Sequence, residues 1–511
     1  MGVVTTARRA LAVLAAGSAV LAACGQAGGG GGTTSGGTLV VGEVTGVQKL
    51  DPQVATKFVD VAALGLVYQP LIKLDSHLQL QPNLAKSWQA STDATTLTLH
   101  LQQGVTFHDG SQFTSADAKA SLERVLDPKT GAAARSFLSA VQSIDAGDPT
   151  TLVLHLSRPD YSIVTGLAST NLAMLPKKAI DAATIASQPD GTGPFKFSAW
   201  NPQTSFSVVR NDHYWNGKVS LDKVEMRVIP DEQSMAAALK AGTIQVGSMS
   251  QPQVVRQLSG SRLQVQKVLA LSYRALMLQS GKGPLANVNA RLALQCAIDR
   301  QQVIGAAVLG DGKVIGPVPQ GPYASDPSAR PCPARDVTKA KDYLARAGMP
   351  NGFTFTAMYA PEEDSTSEAQ VVSVQGQLAQ VGIQMKPDNQ AGDSYVQRWL
   401  SGDFEAAFAL NGAGPDPYTM YGRYFGQGAN LAKPAGYASA QLAQLLAQGD
   451  QSTGSAERTT IYRNLYRLLE DNAVWIWLFD GDQYTVLTSK VHGFQAVPTG
   501  SLEGLSQTTL A

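Results

Sequence analysis

Cysteine is scarce in this chain, and so is charge. Cys24, Cys296 and Cys332 are the only cysteines in 511 residues. That excludes a small disulfide-stapled scaffold and leaves a single pair beyond Cys24, which an extracytoplasmic compartment would permit. Spacing alone does not say whether the two Cα atoms approach to about 6 Å. Charged residues make up 16 % of the chain, with Lys+Arg 40 against Asp+Glu 40. A neutral chain has no electrostatic claim on nucleic acid, whose binding is dominated by phosphate neutralisation. Past the N-terminal segment no apolar run approaches the roughly 20 residues that span a membrane, so the body is expected to be soluble. Catalytic signatures are missing too: there is no G-x-S-x-G, no H-E-x-x-H and no C-x-x-C. The six histidines (His77, His100, His108, His155, His213 and His492) never fall at i, i+3 or i, i+4, as helical metal ligands do. His100 and His155 occupy polar slots of alternating strands, so solvent-facing or hydrogen-bonded rings are expected. "GDGKVIG" (310–316) starts like a dinucleotide loop, but its last glycine comes one residue late. No catalytic residue, metal or cofactor is expected. These absences do not exclude an enzyme, but they shift weight toward a binding protein.

What is present begins at the N-terminus. Arg8 and Arg9 precede "ALAVLAAGSAVLAA" (10–23), an apolar run of 14 residues and too short to span a membrane. Charge, apolar core and small residues, in that order, form a signal-peptide pattern. Leu21-Ala22-Ala23-Cys24 resembles the bacterial lipobox, whose cysteine takes a diacylglycerol before the chain is cut ahead of it. The expectation is a signal peptide over 1–23, lipidation at Cys24, and anchoring on the extracytoplasmic face of the cell membrane. An ordinary signal peptide with a coincidental cysteine is the alternative, and the export route, general or twin-arginine, stays open. Residues 24–37 end in "GQAGGGGGTTSGG", which has almost nothing to bury and reads as a flexible tether. Thirteen such residues have an r.m.s. span of about 20 Å. A phosphate loop would need a strand before it and a helix after it, the reverse of what flanks this run.

Strand and helix signals alternate through the rest. "TLVVGE" (38–43), "TLTLHL" (96–101), "TLVLHL" (151–156), "SFSVVR" (205–210), "KVEMRVI" (223–229), "LQVQKV" (263–268), "YRALML" (273–278), "FTFTAM" (353–358), "IQMK" (383–386), "FEAAFAL" (404–410) and "YTVL" (484–487) read as strands. Asp231 and Asp299 read as helix caps, Asn289 and Thr338 as helix starts, and Gly242 and Gly348 as helix ends. Ser455 opens a helix with Ile461, Leu465, Leu468 and Leu469 on one face. The alternation predicts α/β architecture with open, largely parallel sheets, which bind ligands at the carboxyl edge of their strands. About 470 residues after the tether suggest two or three lobes.

An ordered series of motifs adds a resemblance. It runs through "LDP" (50–52) and "VYQPLIKLDSHLQLQPNLAKSWQASTDATTLTLHLQQGVTFHDGSQFTSADAKASLERVLDP" (67–128). It continues with "GTGPFKF" (191–197), "RNDHYW" (210–215), "LDKVEMRVIPD" (221–231) and "ARLALQCAIDRQQVI" (290–304). Together these resemble the family 5 extracytoplasmic solute-binding proteins of peptide-type ABC importers, over residues 38–495 or so. The resemblance implies a two-lobed periplasmic-binding-protein-like α/β fold with a hinge. Lobe I would comprise 38–60, 191–270 and 480–511, with an extra subdomain at 61–190; lobe II would comprise 271–479. It implies a monomer that captures an oligopeptide or peptide-like solute and hands it to a permease with ATPase subunits. A non-peptide solute (a metal chelate, glycoside or cationic metabolite) is the alternative within that scaffold. A lipid-anchored hydrolase or a structural envelope protein is the alternative outside it.

The same resemblance names candidate ligand residues. Val47 and Gln48 lie on the loop before "LDP", and Phe137 stands where an aromatic often faces ligand. Asn411 stands where peptide binders often have Trp, and Gly412 follows it. The carboxylate that holds a peptide ammonium would fall on Ala413 or Gly414, neither of which pairs a charge. Asp416 matches a turn acid of the family. An Arg used by some dipeptide binders would fall near "PEEDSTSE" (361–368), where this chain has Glu362, Glu363 and Asp364. These acids read either as a favourable helix approach or as a wall for a cationic ligand. Trp399, Trp475 and Trp477 sit in apolar periodic settings and are expected in the core.

Overall fold

Strict alternation in "TLTLHL" and "TLVLHL" builds the centre of a four-stranded antiparallel sheet, with Ala85–Ala90 and Val141–Asp148 at its edges. Leu97, Leu99 and Leu101 face inward with Leu152, Leu154 and Leu156, while His100 is exposed and His155 pairs with Asp145 at 2.9 Å. Helix Ser115–Leu126 covers this sheet. In the computed structural model residues 36–511 are described, apart from Ser261 and Thr453. Cys24 and the expected signal and tether up to residue 35 lie outside the described residues.

Twelve strands form the main sheet. From one edge it runs Gln384–Asn389, Thr354–Tyr359, Ala406–Gly412, Ser272–Leu278, Trp475–Thr488, Val246–Met249, Thr38–Glu43, Lys223–Val228, Ser205–Arg210 and Phe195–Asn201. Leu263–Leu269 and Gly312–Val314 also pair with Trp475–Thr488. The expectation of largely parallel sheets needs correction. Thr38–Glu43 is parallel to both its neighbours, and so is Thr354–Tyr359, but the other pairings are antiparallel. A short turn at 202–204 makes a hairpin of Phe195–Asn201 and Ser205–Arg210, and hairpins are antiparallel by construction. The 14-residue strand Trp475–Thr488 returns the chain alongside Leu263–Leu269 and Ser272–Leu278, so it runs against them.

That long strand joins the two lobes. Residues 484–488 lie in lobe I beside Leu263–Leu269, and 475–479 lie in lobe II beside Ser272–Leu278. Between them Ala270 N donates to the Gly481 carbonyl at 3.2 Å, and Leu271 N to that of Pro498 at 2.7 Å. Asp480 is fully buried there, with Gln320 Nε2 donating to it at 3.0 Å and Ser272 Oγ at 3.3 Å. Separate apolar cores sit on either side. Leu39, Val41, Phe206 and Val224 form the core of lobe I, and Leu66 and Leu175, expected within the subdomain at 61–190, pack into this same core because the segments that enter and leave the subdomain run through it. Leu71, Leu99, Leu122 and Leu154 belong to the subdomain. Leu276, Ile304, Phe355 and Ile476 lie on one face of the lobe II sheet; Tyr273, Tyr421, Trp475 and Trp477 lie on the other.

Helix starts follow the sequence closely, with shifts. Asp231 accepts from Ser234 N at 2.7 Å and Asp299 from Gln302 N at 3.1 Å. Asn287 rather than Asn289 caps Val288–Ala297, and Asp336 rather than Thr338 caps Val337–Arg346. In each case a polar side chain just upstream reaches the free amides of the first turn, a contact that apolar periodicity does not register. Cys296 and Cys332 form a disulfide with Cα atoms 5.1 Å apart. Closing a loop between cysteines 36 residues apart restrains the unfolded chain by roughly 4 kcal/mol in the chain-entropy account.

Candidate functional site

The parallel strands of both lobes end at one shared space. In lobe I these are the ends after Glu43 and Met249; in lobe II they follow Tyr359, Asn389 and Gly412. The carboxyl edge of a sheet is where chain reversals leave a crevice, and both lobes present theirs. Contacts between the lobes include the following. Lys57 Nζ lies 3.9 Å from Glu363 Oε1. Ser250 Oγ meets Ser365 Oγ at 2.9 Å. Arg256 Nη2 donates to the Leu309 carbonyl at 3.0 Å. The exposed ring of Phe58 stands over Gly412, where a Cβ would lie 3.7 Å from it.

The subdomain closes a further side. Arg158 Nη1 pairs with the fully buried Asp450 at 2.7 Å, and its Nη2 donates to the Tyr418 hydroxyl at 2.9 Å. Ser162 N donates to the other Asp450 oxygen at 3.1 Å. Asp160 lies beside this group; burial and then the neighbouring Asp450 charge push its carboxyl well above the usual range.

The candidate residues fall into distinct settings. Val47 is buried in the lobe I core, and its carbonyl accepts from Trp200 Nε1 at 2.8 Å. Gln48 is exposed; its side-chain amide donates to the carbonyls of Gly46 and Pro202 at 3.0 and 3.2 Å. Phe137 is half-buried against the subdomain core, on a turn that lies against the lobe II helix Pro417–Phe425. Asn411 is buried, with its amide oxygen accepting from the Tyr424 hydroxyl at 3.3 Å. Gly412 faces Phe58, and Ala413 N donates to the Leu271 carbonyl at 3.0 Å.

The acids are engaged within the protein. Asp416 accepts from Tyr418 N at 2.8 Å as a helix cap, and its second oxygen pairs with Arg458 Nη2 at 2.6 Å. Burial pushes its carboxyl up, and Arg458 pulls it back. Asp364 pairs with Arg274 at 2.9 Å. Burial works to raise its pKa, but Arg274 and Thr366 outweigh burial and hold it below the usual value. Glu362 accepts from Gly392 N at 2.8 Å, at the start of helix Gly392–Ser401. Of the three acids at 362–364, only Glu363 directs its charge across the space, toward Lys57. Trp475 and Trp477 are fully buried, and Trp399 is half-buried.

Sequence reasoning missed Glu43, Phe58 and Arg423. Glu43 ends the first strand, accepts from Ser248 Oγ at 2.9 Å, and is pushed by burial up to about 7. Its position as the last residue of a strand whose carboxyl edge binds was the available signal. Phe58 opens a helix and carried none. A cavity of about 520 Å³ lined by Arg210, Asp212 and Asp222 sits elsewhere, and Arg210 already pairs with both acids. Among the described residues no three His, Cys, Asp or Glu side chains group as metal ligands, and no helix is long and apolar enough to cross a membrane.

Comparison with known proteins agrees with this architecture. The chain is similar to the glutathione-binding protein GsiB of Escherichia coli K12, at 27 % identity over 484 residues, covering 90 % of this chain and 92 % of that one. It is similar in structure to the periplasmic binding protein AgaA of A. tumefaciens R10, solved with agropinic acid. That match has TM-score 0.83 and 28 % identity, and covers 93 % of this chain and 99 % of that one. DppA of Helicobacter pylori, solved with the peptide STSA, matches with TM-score 0.83 and 26 % identity over 93 % and 98 % of the two chains. The family model for bacterial extracellular solute-binding proteins, family 5, matches residues 79–431, more than half of the chain. With two α/β lobes facing each other across their strand ends, this chain belongs to the family 5 bacterial extracellular solute-binding proteins.

Proposed function

We propose that this chain is the lipid-anchored capture component of an ABC importer, taking a short peptide or peptide-like solute between its lobes. The observation that carries the reading is the inter-lobe space: two carboxyl sheet edges face each other, joined by segments at 270–271 and 480–482. Solute contacts made to both lobes exist only when the lobes are together, so solute favours closure, and a permease can sense it. GsiB, AgaA and DppA carry glutathione, agropinic acid and a peptide respectively, all of them carboxylic acids. The disulfide supports an oxidising, extracytoplasmic setting, in keeping with lipidation at Cys24 and a membrane-face location.

A peptide's ammonium finds no dedicated acid at 413–414, while Asp364 and Asp416 are held by arginines. A charge-assisted hydrogen bond contributes roughly 1.5–3 kcal/mol. Calorimetric titration with tetraalanine, N-acetyl-tetraalanine and glutathione tests this. The expected result is one site per chain for at least one probe, with free and acetylated peptide within about tenfold of each other. A preference above about a hundredfold for the free terminus would show an acid serving the ammonium. No binding by any of the three would reject the peptide-like solute.

A further inference from the structure

We propose that Arg423, the hydroxyls of Tyr273 and Tyr424, and the Asn411 amide form a lobe II subsite that receives a carboxylate of the solute. It rests on reading the inter-lobe space as the solute site, and it names the chemistry of one end of that solute.

The arginines around this space are otherwise matched with acids. Arg274 has Asp364 at 2.9 Å, Arg458 has Asp416 at 2.6 Å, and Arg158 has Asp450 at 2.7 Å. Arg423 has no such partner among the described residues. It lies half-buried on helix Pro417–Phe425, with its guanidinium carbon 5.0 Å from the centre of the Tyr424 ring. Its Nη2 makes a long contact, 3.4 Å, to the Gly412 carbonyl, the guanidinium also lies against the Tyr424 hydroxyl, and its buried Nε has no acceptor, so its partners are neutral and weak. A desolvated guanidinium N–H without an acceptor is costly, and a carboxylate fits its planar fork.

The neighbours are also short of acceptors. Tyr273 is fully buried, and its hydroxyl has only that of Tyr424 to turn to, in an arrangement short of good hydrogen-bond geometry, with Arg423 close by. Tyr424 donates to Asn411 Oδ1 at 3.3 Å, and Asn411 Nδ2 faces only the Met277 sulfur, a weak acceptor, at 3.6 Å. The cluster is rich in donors and holds no acid, so it selects an anion over an ammonium. It adjoins Gly412, the residue that faces Phe58 of lobe I, so an anion held here would lie at the wall between the lobes.

The test follows the Arg423 Nε–Hε resonance in the intact chain labelled with 15N-arginine, assigned by its loss in R423K. The resonance should move saturably with acetate at constant ionic strength and stay in place with N-methylacetamide. Tetraalanine should bind at least about tenfold more tightly than tetraalanine amide. That gap should close in R423K and narrow in Y273F. The proposal is overturned if neither acetate nor tetraalanine moves the resonance more than its neutral counterpart does, or if R423K keeps the acid–amide gap. If acetate moves the resonance while no peptide binds, the carboxylate subsite stands and the peptide reading fails. The wild-type titrations need no variant, so a misfolded R423K would not remove the test.

Discussion

Asp416 shows how much chemistry a single residue conceals in sequence. As the acid of "GPDPY" it reads as a turn residue, and it does cap Pro417–Phe425. Its pairing with Arg458, 42 residues away, was not legible, because no local pattern marks a tertiary ion pair. Removing one partner of a buried pair strands the other charge, at a cost of about 3–5 kcal/mol. D416N is therefore expected to lower the unfolding free energy in urea by about 3 kcal/mol or more. A change within the range of a surface substitution, about 0.5 kcal/mol, would contradict that assignment. His108 carries a pH signature. Burial pushes its imidazole down to about 4 from 6.5, although the Gly193 carbonyl 3.0 Å away opposes the shift. Between those values the unfolded chain binds a proton on this ring that the folded chain does not. Its contribution is thus present above pH 6.5 and lost as pH falls toward 4. Urea midpoints measured from pH 7 to 4 should fall less steeply in H108Q than in the parent; equal slopes would refute the assignment.

Among the elements, period-2 strands and polar helix starts were the legible part, since both are written in local sequence. Pairing direction was not: nothing in "YTVL" (484–487) announces that it is one end of a 14-residue strand serving both lobes. The signature stretches turn out to be joints. Asp51 of "LDP" pairs with Arg124 of the subdomain helix Ser115–Leu126. A Cβ at Gly191 or Gly193 of "GTGPF" would lie 2.1 Å from the Val67 carbonyl or 2.5 Å from that of Leu66. Arg291 of "ARLAL" donates to the Asn472 and Ala473 carbonyls at 3.1 and 3.2 Å. These stretches hold the subdomain to lobe I, close-pack the lobe I core and join helix to helix end, so they report the scaffold and say little about the solute. The clasp between subdomain and lobe II is testable on its own. Asp450 accepts both from Arg158 and from the Ser162 backbone, and its carbonyl accepts from Tyr161 N at 3.0 Å. D450A should strand Arg158 and speed amide exchange at Tyr161 and Ser162 relative to the subdomain sheet. Unchanged protection at these two amides would show that the clasp does not hold the two parts together.

For the whole molecule, length, tether, alternation and missing catalytic motifs pointed to a lobed binding protein. The candidate site was legible only as loops at strand ends. Its residues came from scattered segments: Phe58 from a helix start, Gly412 from a strand end, and Arg423 from the next helix. Their meeting is a product of topology, which sets the two carboxyl edges face to face. The central claim, capture without chemistry, separates the proposed function from an envelope hydrolase on one measurement. Native mass spectrometry of the intact protein, after incubation with a mixture of short peptides and glutathione, reads both occupancy and the integrity of the bound species. The account predicts a single solute per chain, released unchanged when the protein is denatured. A protein that stays empty throughout, or that returns its peptides cleaved, would contradict it.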